Sequence, residues 1–328
     1  MIRRCRLRAC AIWFIAVAGC GGTLDAGADA AHGPLPVDER NPVILNNDGP
    51  TDNWQGEYAL LLASARRLEL VGIVINDSSA WPDLGANLTG WNELVAAARA
   101  SGMRNAPDPL ASAGAPLARP LDGNIDATIP NGSAGARFIV EQSLRFARSY
   151  RPIVVATGGR LTDVADAYLL DHTLPDRVVV VSSLGTISGD GARMGVPNGE
   201  MDAWADTIVV NRFRYVQVSA YYDQTADVAP SQVPSLPSNP FGAWIASKRS
   251  GILTINVASD QVSIASLAMR GFVREVAQMR QNATEPTSSG DRPTLAPDSE
   301  GRVWLVTQSD GSVPAATLWE LLRDPTVF

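Results

Sequence analysis

Residues 44–54 read ILNNDGPTDNW. The stretch decides the fold because it joins two patterns. Upstream, Val43–Leu45 is a short apolar run, which reads as a strand buried on both faces. Downstream, Trp54–Arg67 spaces its apolar residues as a helix does. Between the two stand Asn46, Asn47, Asp48, Asp52 and Asn53. A strand that passes through a polar loop into a helix opens a βα unit, and such units collect binding groups at the carboxyl ends of strands.

The pattern recurs outward along the chain. Leu68–Ile75 (LELVGIVI), Pro152–Ala156 (PIVVA), Arg177–Ser182 (RVVVVS), Ile252–Asn256 (ILTIN) and Val303–Thr307 read as strands. Trp91–Ser101, Ala134–Tyr150, Leu161–Leu170, Gln261 to about Gln281, and Ala315–Arg323 read as helices. Residues 223–239 and 282–300, rich in Pro and Ser, read as loops. Short apolar strands alternating with helices predict an α/β fold: an open, mostly parallel sheet with helices on both faces and a Rossmann-like core.

The first twenty residues, MIRRCRLRACAIWFIAVAGC, carry four arginines, then an apolar run, then small residues before Cys20. That is the layout of a secretory signal over residues 1–19, with an apolar core too short for a membrane span. The end, Val17-Ala18-Gly19-Cys20, resembles a bacterial lipobox, which implies a lipid thioether on Cys20. Gly21 rather than Asp follows, which fits export to the outer membrane or cell surface. Residues 20–40 are small and polar and read as a flexible tether, leaving 41–328 as a single domain.

Composition removes whole classes of chemistry. Of 328 residues, 27 are basic and 34 acidic, a formal charge of −7. Without residues 1–19 the balance is 23 basic against 34 acidic, or −11. Such a chain is a poor partner for nucleic acid. The cysteines are Cys5, Cys10 and Cys20, so the mature body has none for disulfides or thiolate metal sites. The histidines are His32 and His172 alone, which excludes Cys–His nucleophiles and makes multi-histidine zinc sites implausible. His172 lies beyond the helix that follows Thr157 and is expected to be a surface residue.

Oxygen ligands gather at the strand ends instead. Asn46, Asp48, Asp52 and Asn53 follow the first strand; Asn76 and Asp77 follow the second. Thr157-Gly158-Gly159 follows PIVVA, and Ser259-Asp260 comes after ILTIN. These groups suit a hard cation such as calcium and a polyhydroxylated ligand. Any one alone is as well explained by helix capping, and Asp52 is placed to cap the Trp54 helix. Trp204 and Trp244 are either core residues or stacking partners for an aromatic ligand.

On these residues the chain resembles the inosine–uridine-preferring nucleoside hydrolases. ILNNDGPTDNW is similar to their signature Asp-x-Asp-Pro-Gly-x-Asp-Asp after an apolar strand. Val155–Ala165 (VATGGRLTDVA) is similar to their Thr-Gly-Pro-Leu-Thr-Asn block, with one residue inserted. Leu70–Asn76, Asn198–Asp206 (NGEMDAWAD) and Ala258–Ala265 (ASDQVSIA) agree in order and spacing. The resemblance implies hydrolysis of the N-glycosidic bond of ribonucleosides or related ribosides by a calcium-held water. It implies that Asp48 ligates calcium and serves as catalytic base, and that Asn53, the Thr157 carbonyl and Asp260 are further calcium ligands. It implies ribose contacts from Asp52, Asn76, Asn198 and Asp206, and homo-oligomers, which are common in the family. Beyond a nucleoside or riboside, the expected partner is the membrane, through the lipid anchor only.

The departures point to altered chemistry. Asn46 and Asn53 stand where the family has Asp, Gly49-Pro50 reverses Pro-Gly, Asp206 replaces Asn, and Ser259 replaces the His that protonates the leaving base. With one ligand charge fewer, weaker calcium binding is expected. The alternative is a catalytically impaired surface lipoprotein that binds a nucleoside or sugar without turnover. A haloacid-dehalogenase-type phosphatase would need its nucleophilic Asp where Asn46 stands. An EF-hand loop would need a preceding helix and an acid at its twelfth position.

Overall fold

Val43, Ile44 and Leu45 are fully buried, and their side chains divide between two separate hydrophobic clusters. A strand sealed on both faces belongs in the middle of a sheet, and the rest of the chain is built around it. The computed structural model describes residues 34–50, 54–112, 114–182, 201–218, 230–249, 260–281 and 295–328. In chain order these form β1 (Pro42–Asn47), α1 (Gln55–Ser64), β2 (Glu69–Ile75), α2 (Leu84–Ala100), β3 (Pro109–Ala111), α3 (Ala134–Phe146), β4 (Ile153–Thr157), α4 (Thr162–Leu170) and β5 (Val178–Ser182). Then follow α5 (Ala203–Arg212), β6 (Arg214–Val218), α6 (Pro240–Arg249), α7 (Gln261–Ala268), β7 (Val273–Gln281), β8 (Leu295–Pro297), β9 (Val303–Ser309) and α8 (Ser312–Arg323).

Among the described residues one sheet runs β3-β2-β1-β4-β5-β6-β9-β7-β8. Pairing is parallel from β3 through β9, while β7 is antiparallel to both β9 and β8. The expected open, mostly parallel sheet with helices on both faces is therefore observed. Residues of α1, α2, α6, α7 and α8 pack in one cluster, and those of α3, α4 and α5 in the other.

The order β3-β2-β1-β4-β5-β6 fixes where a ligand is received. From β1 the chain turns to α1 on one face, and from β4 to α4 on the other. Between these diverging connections a crevice opens at the carboxyl ends of β1 and β4, the switch point at which doubly wound sheets bind ligands. The two strands are in register there, Asn46 opposite Thr157.

Local chemistry starts the helices. Asp83 caps α2 by accepting from the Ala86 N–H at 2.9 Å, Ser133 caps α3 through Ala136 at 3.1 Å, and Asp202 caps α5 through Ala205 at 3.0 Å. The Asp83 cap explains why α2 begins at Leu84 rather than at the expected Trp91.

Three expectations are corrected. The helix expected from Gln261 to about Gln281 ends at Ala268, and Val273–Gln281 is strand β7. Gly271, at φ +83, turns the chain, and pairing with β9 overrides the helical propensity of VREVAQMRQ. Residues 295–297, expected as loop, form the short strand β8 against β7. The segment expected to be tether up to residue 40 is folded at its end. Val37 joins the core, and Asn41 links the Asp38 N–H at 2.9 Å to the Pro152 carbonyl at 2.7 Å. The strand expected at Ile252–Asn256 lies outside the described residues. No helix among the described residues is long and apolar enough to cross a membrane.

Candidate functional site

Two polar networks meet at the β1–β4 crevice. The first is centred on Asn46, which is fully buried at the end of β1. Its side-chain oxygen accepts from Asn76 Nδ2 at 3.1 Å and Thr157 Oγ1 at 3.2 Å. Its amide nitrogen donates to Asp163 Oδ2 at 3.1 Å. Asp163 also accepts from the Ser112 and Ser133 hydroxyls. Burial pushes the Asp163 carboxyl up, and the bonds from Ser112, Asn46 and Ser133 pull the other way.

This network joins the end of β1 to the start of α4. Asn46 stands where the resemblance has Asp, and Asp163 stands where the Thr-Gly-Pro-Leu-Thr-Asn block has Asn. The two side chains are bonded to each other. One amide and one acid share this bond, so the buried pair carries a single charge.

The second network leads from β1 to α7. Asn47 accepts the Asp48 N–H at 2.6 Å and donates to Gln55 Oε1. Gln55 donates to Ser263 Oγ at 2.7 Å, and Ser263 donates to the Asp260 carbonyl at 2.6 Å. Asp260 precedes α7, but its carboxylate does not cap that helix. It lies against the α-carbon of Gly158, where a Cβ would collide with it. Asp260 thus stands beside Thr157, and Asp48 follows β1 at the same end of the sheet; all three are buried.

Asp48 is held closely. Its Oδ1 accepts the Gly49 N–H at 2.6 Å, and its carbonyl accepts the Trp91 indole N–H at 3.0 Å. The Trp81 indole covers the α-carbon of Gly49, and Pro50 packs on Gly90. This accounts for Gly49-Pro50: a side chain at 49 would occupy the space of the Trp81 ring, while a proline at 50 rests where α2 has no side chain.

Asn76 ends β2. Its Nδ2 is used by Asn46 and by the Arg160 carbonyl at 3.2 Å, while its Oδ1 is buried with no hydrogen-bond partner among the described residues. Asp206 is buried on α5, and its charge acts on the Tyr215 phenol of β6. Asp52, Asn53, Asn198, Ser259 and Cys20 lie outside the described residues. Among the described residues no three acidic or histidine side chains gather into a metal cluster.

Sequence reasoning missed Asp163, Trp81 and Arg160. Arg160 is the inserted residue of VATGGRLTDVA; it is buried, paired with Asp77 and bonded to the Gly114 carbonyl at 2.6 Å. Its signal was the insertion itself, a cation among strand-end acids. Trp204 and Trp244 resolve as core: both are buried, and the Trp204 indole donates to Thr128 Oγ1 at 3.0 Å. His172 is exposed and stacks on Tyr168 at 4.8 Å, as expected of a surface residue.

No family model matches the sequence, and no curated protein matches it. Solved structures do match. A plant nucleoside hydrolase has a TM-score of 0.58 at 13% identity, over 87% of this chain and 99% of its own. A purine-preferring ribonucleoside hydrolase from Gardnerella vaginalis has a TM-score of 0.59 at 15% identity, over 86% and 98%. An inosine–uridine-preferring nucleoside hydrolase from Bacillus anthracis has a TM-score of 0.56 at 13% identity, over 86% and 99%. Likeness at such identity concerns the backbone, which agrees with the strand order and the crevice already described: this chain has the nucleoside hydrolase fold.

Proposed function

We propose that this chain hydrolyses the N-glycosidic bond of ribonucleosides or related ribosides. The observation that carries the reading is the buried carboxylate pair Asp48 and Asp260 at the β1–β4 switch point. The solved structures alike in fold are described as hydrolases of purine ribonucleosides or of inosine, uridine and guanosine.

The donor set fits calcium: two buried carboxylates and the Thr157 carbonyl are hard oxygen donors, with Asn53 as the expected fourth. Calcium, when bound, polarises a water and eases loss of its proton. Asp48 is the group that accepts this proton, and the Gly49 N–H orients its carboxylate. The buried Oδ1 of Asn76 is an acceptor suited to a ribose hydroxyl, with Asp52, Asn198 and Asp206 as further sugar contacts. The water oxygen bonds to the anomeric carbon, and the electron pair of the C–N bond leaves with the base, which takes up a proton. Ser259 is a poor acid, so substrates whose leaving group departs unassisted are favoured.

The reading includes export, a lipid on Cys20 and residence at the outer membrane or cell surface; incorporation of labelled palmitate that Cys20→Ser abolishes is its check. Activity is tested on the whole chain with p-nitrophenyl riboside, with calcium and then with EDTA. Calcium-dependent release that Asp48→Asn abolishes at an unchanged unfolding midpoint is expected. Full release by Asp48→Asn refutes the assignment of the base. Saturable nucleoside binding with no product establishes the binding-protein alternative instead.

A further inference from the structure

The opposite pole of the sheet carries a cleft that the proposed chemistry does not use. It has a volume of about 660 Å³ and is lined by residues that enter strands at their amino ends: Glu39 and Arg40 before β1, Arg66, Arg67 and Glu69 at β2, and Arg151 before β4. Four arginines in one cleft stand out in a chain of net charge −7. Guanidinium forks match phosphate oxygens bidentately.

Arg66 gives the second observation. It follows α1 at φ +59, in the left-handed region. Its N–H bonds to the Ala63 carbonyl at 3.1 Å, and the Arg67 N–H to the Leu62 carbonyl at 2.8 Å. This is the helix stop at which glycine is the ordinary choice. Here an arginine takes the strained position and extends an exposed side chain that forms no ion pair among the described residues. The other three have acidic partners: Arg40 with Asp38, Arg67 with Glu320, and Arg151 with Glu69. These pairs are partly exposed, and water and salt screen them.

We infer that this cleft binds the phosphate headgroup of anionic lipids. The chain enters the domain here, since residues 34–41 lead past the cleft into β1. Cys20 is only fourteen residues before Pro34, so a lipid on it would hold this arginine-lined pole within reach of a bilayer. Docked in this way, the β1–β4 crevice faces away from the bilayer, open to solutes. The choice of lipid over free phosphate rests on the lipid-anchor reading of Cys20; the choice of phosphate rests on the arginines alone.

The test uses the whole chain carrying Cys20→Ser, so that no lipid forms on it, and flotation with phosphatidylcholine vesicles with and without phosphatidylglycerol. Phosphatidylglycerol-dependent binding is expected, weakening as salt rises. Arg66→Gly is expected to weaken it roughly fivefold, and Arg66→Gly with Arg67→Gln roughly twentyfold, from the usual attraction of one basic residue to an anionic surface. Arg66→Gly places the preferred residue at a left-handed position, so its unfolding midpoint is expected to hold or rise, which separates lost binding from lost folding. Equal binding to both vesicles, or wild-type binding by the double variant, overturns the inference. Arginine-dependent binding of inorganic phosphate without vesicle binding overturns the lipid assignment. Palmitate labelling of Cys20 reads the anchor separately, so failure of one does not register as failure of the other.

Discussion

The Asn46–Asp163 bond makes a quantitative test of how strongly β1 and α4 are coupled at the crevice. Asn46→Asp places a second carboxylate 3.1 Å from Asp163 Oδ2, and both residues are buried. Two like charges at that separation repel by about 5 kcal/mol at an effective dielectric of ~20. Protonating one acid limits the penalty, because raising a carboxyl from pKa ~4 to ~7 costs about 4 kcal/mol. Asn46→Asp is therefore expected to cost about 3–4 kcal/mol at pH 7. Asp163→Asn leaves the Ser112 and Ser133 hydroxyls without a charged acceptor and sets amide against amide, a loss of about 1–3 kcal/mol. The double variant restores one acid and one amide and is expected to lose only about 1 kcal/mol, a coupling of at least ~3 kcal/mol. Urea unfolding followed by circular dichroism measures all four proteins. The sign with pH follows from the pair: its folded pKa is raised, so the Asn46→Asp penalty is largest near neutrality and shrinks as pH falls and one carboxyl takes a proton. Additivity within ~0.5 kcal/mol would refute Asn46 and Asp163 as a coupled pair, as would a penalty that does not shrink in acid.

Two further outcomes follow from single contacts. Gly49→Ala drives a methyl group into the Trp81 ring, so a stability loss of about 1–3 kcal/mol is expected in thermal unfolding, with Gly49→Ala/Trp81→Ala recovering most of it. Failure of the second change to rescue the first would show that Gly49 is required for another reason. Asp310 is held down to about 2 by the Ser312 hydroxyl, Arg274 and the Ser312 N–H. A lowered carboxyl stabilises the fold above its unfolded pKa and loses that contribution as pH falls through its folded pKa. Acid unfolding of Asp310→Asn is therefore expected to be less steep than that of the wild type between pH ~4 and ~2.

Much of the frame was legible in the chain. Val43–Leu45, LVGIVI, IVVA and VVVV have no polar alternation, and a strand without a wet face can only lie inside a two-faced sheet. The positions of Asn76 and Thr157 were legible too, the first polar group past β2 and the last residue of β4, as was the place of Asp48 just beyond β1. What misled was local propensity. VREVAQMRQ reads as helix by composition, yet it is a strand because β9 offers it a ladder, and β9 is encoded more than twenty residues later.

The sequence by itself determined periodicity, charge, the scarcity of Cys and His, and which residue types fall at strand ends, since each of these is set by near neighbours along the chain. Only the tertiary structure decided what those residues do to one another. Asn46 and Asp163 are more than a hundred positions apart, as are Gly158 and Asp260, and one-dimensional spacing carries no record of such contacts. Read alone, Asn46 is a lost carboxylate. Folded, it is the donor half of a buried bond whose acid, Asp163, stands in the first turn of α4, and a buried polar pair of this kind is costly to break.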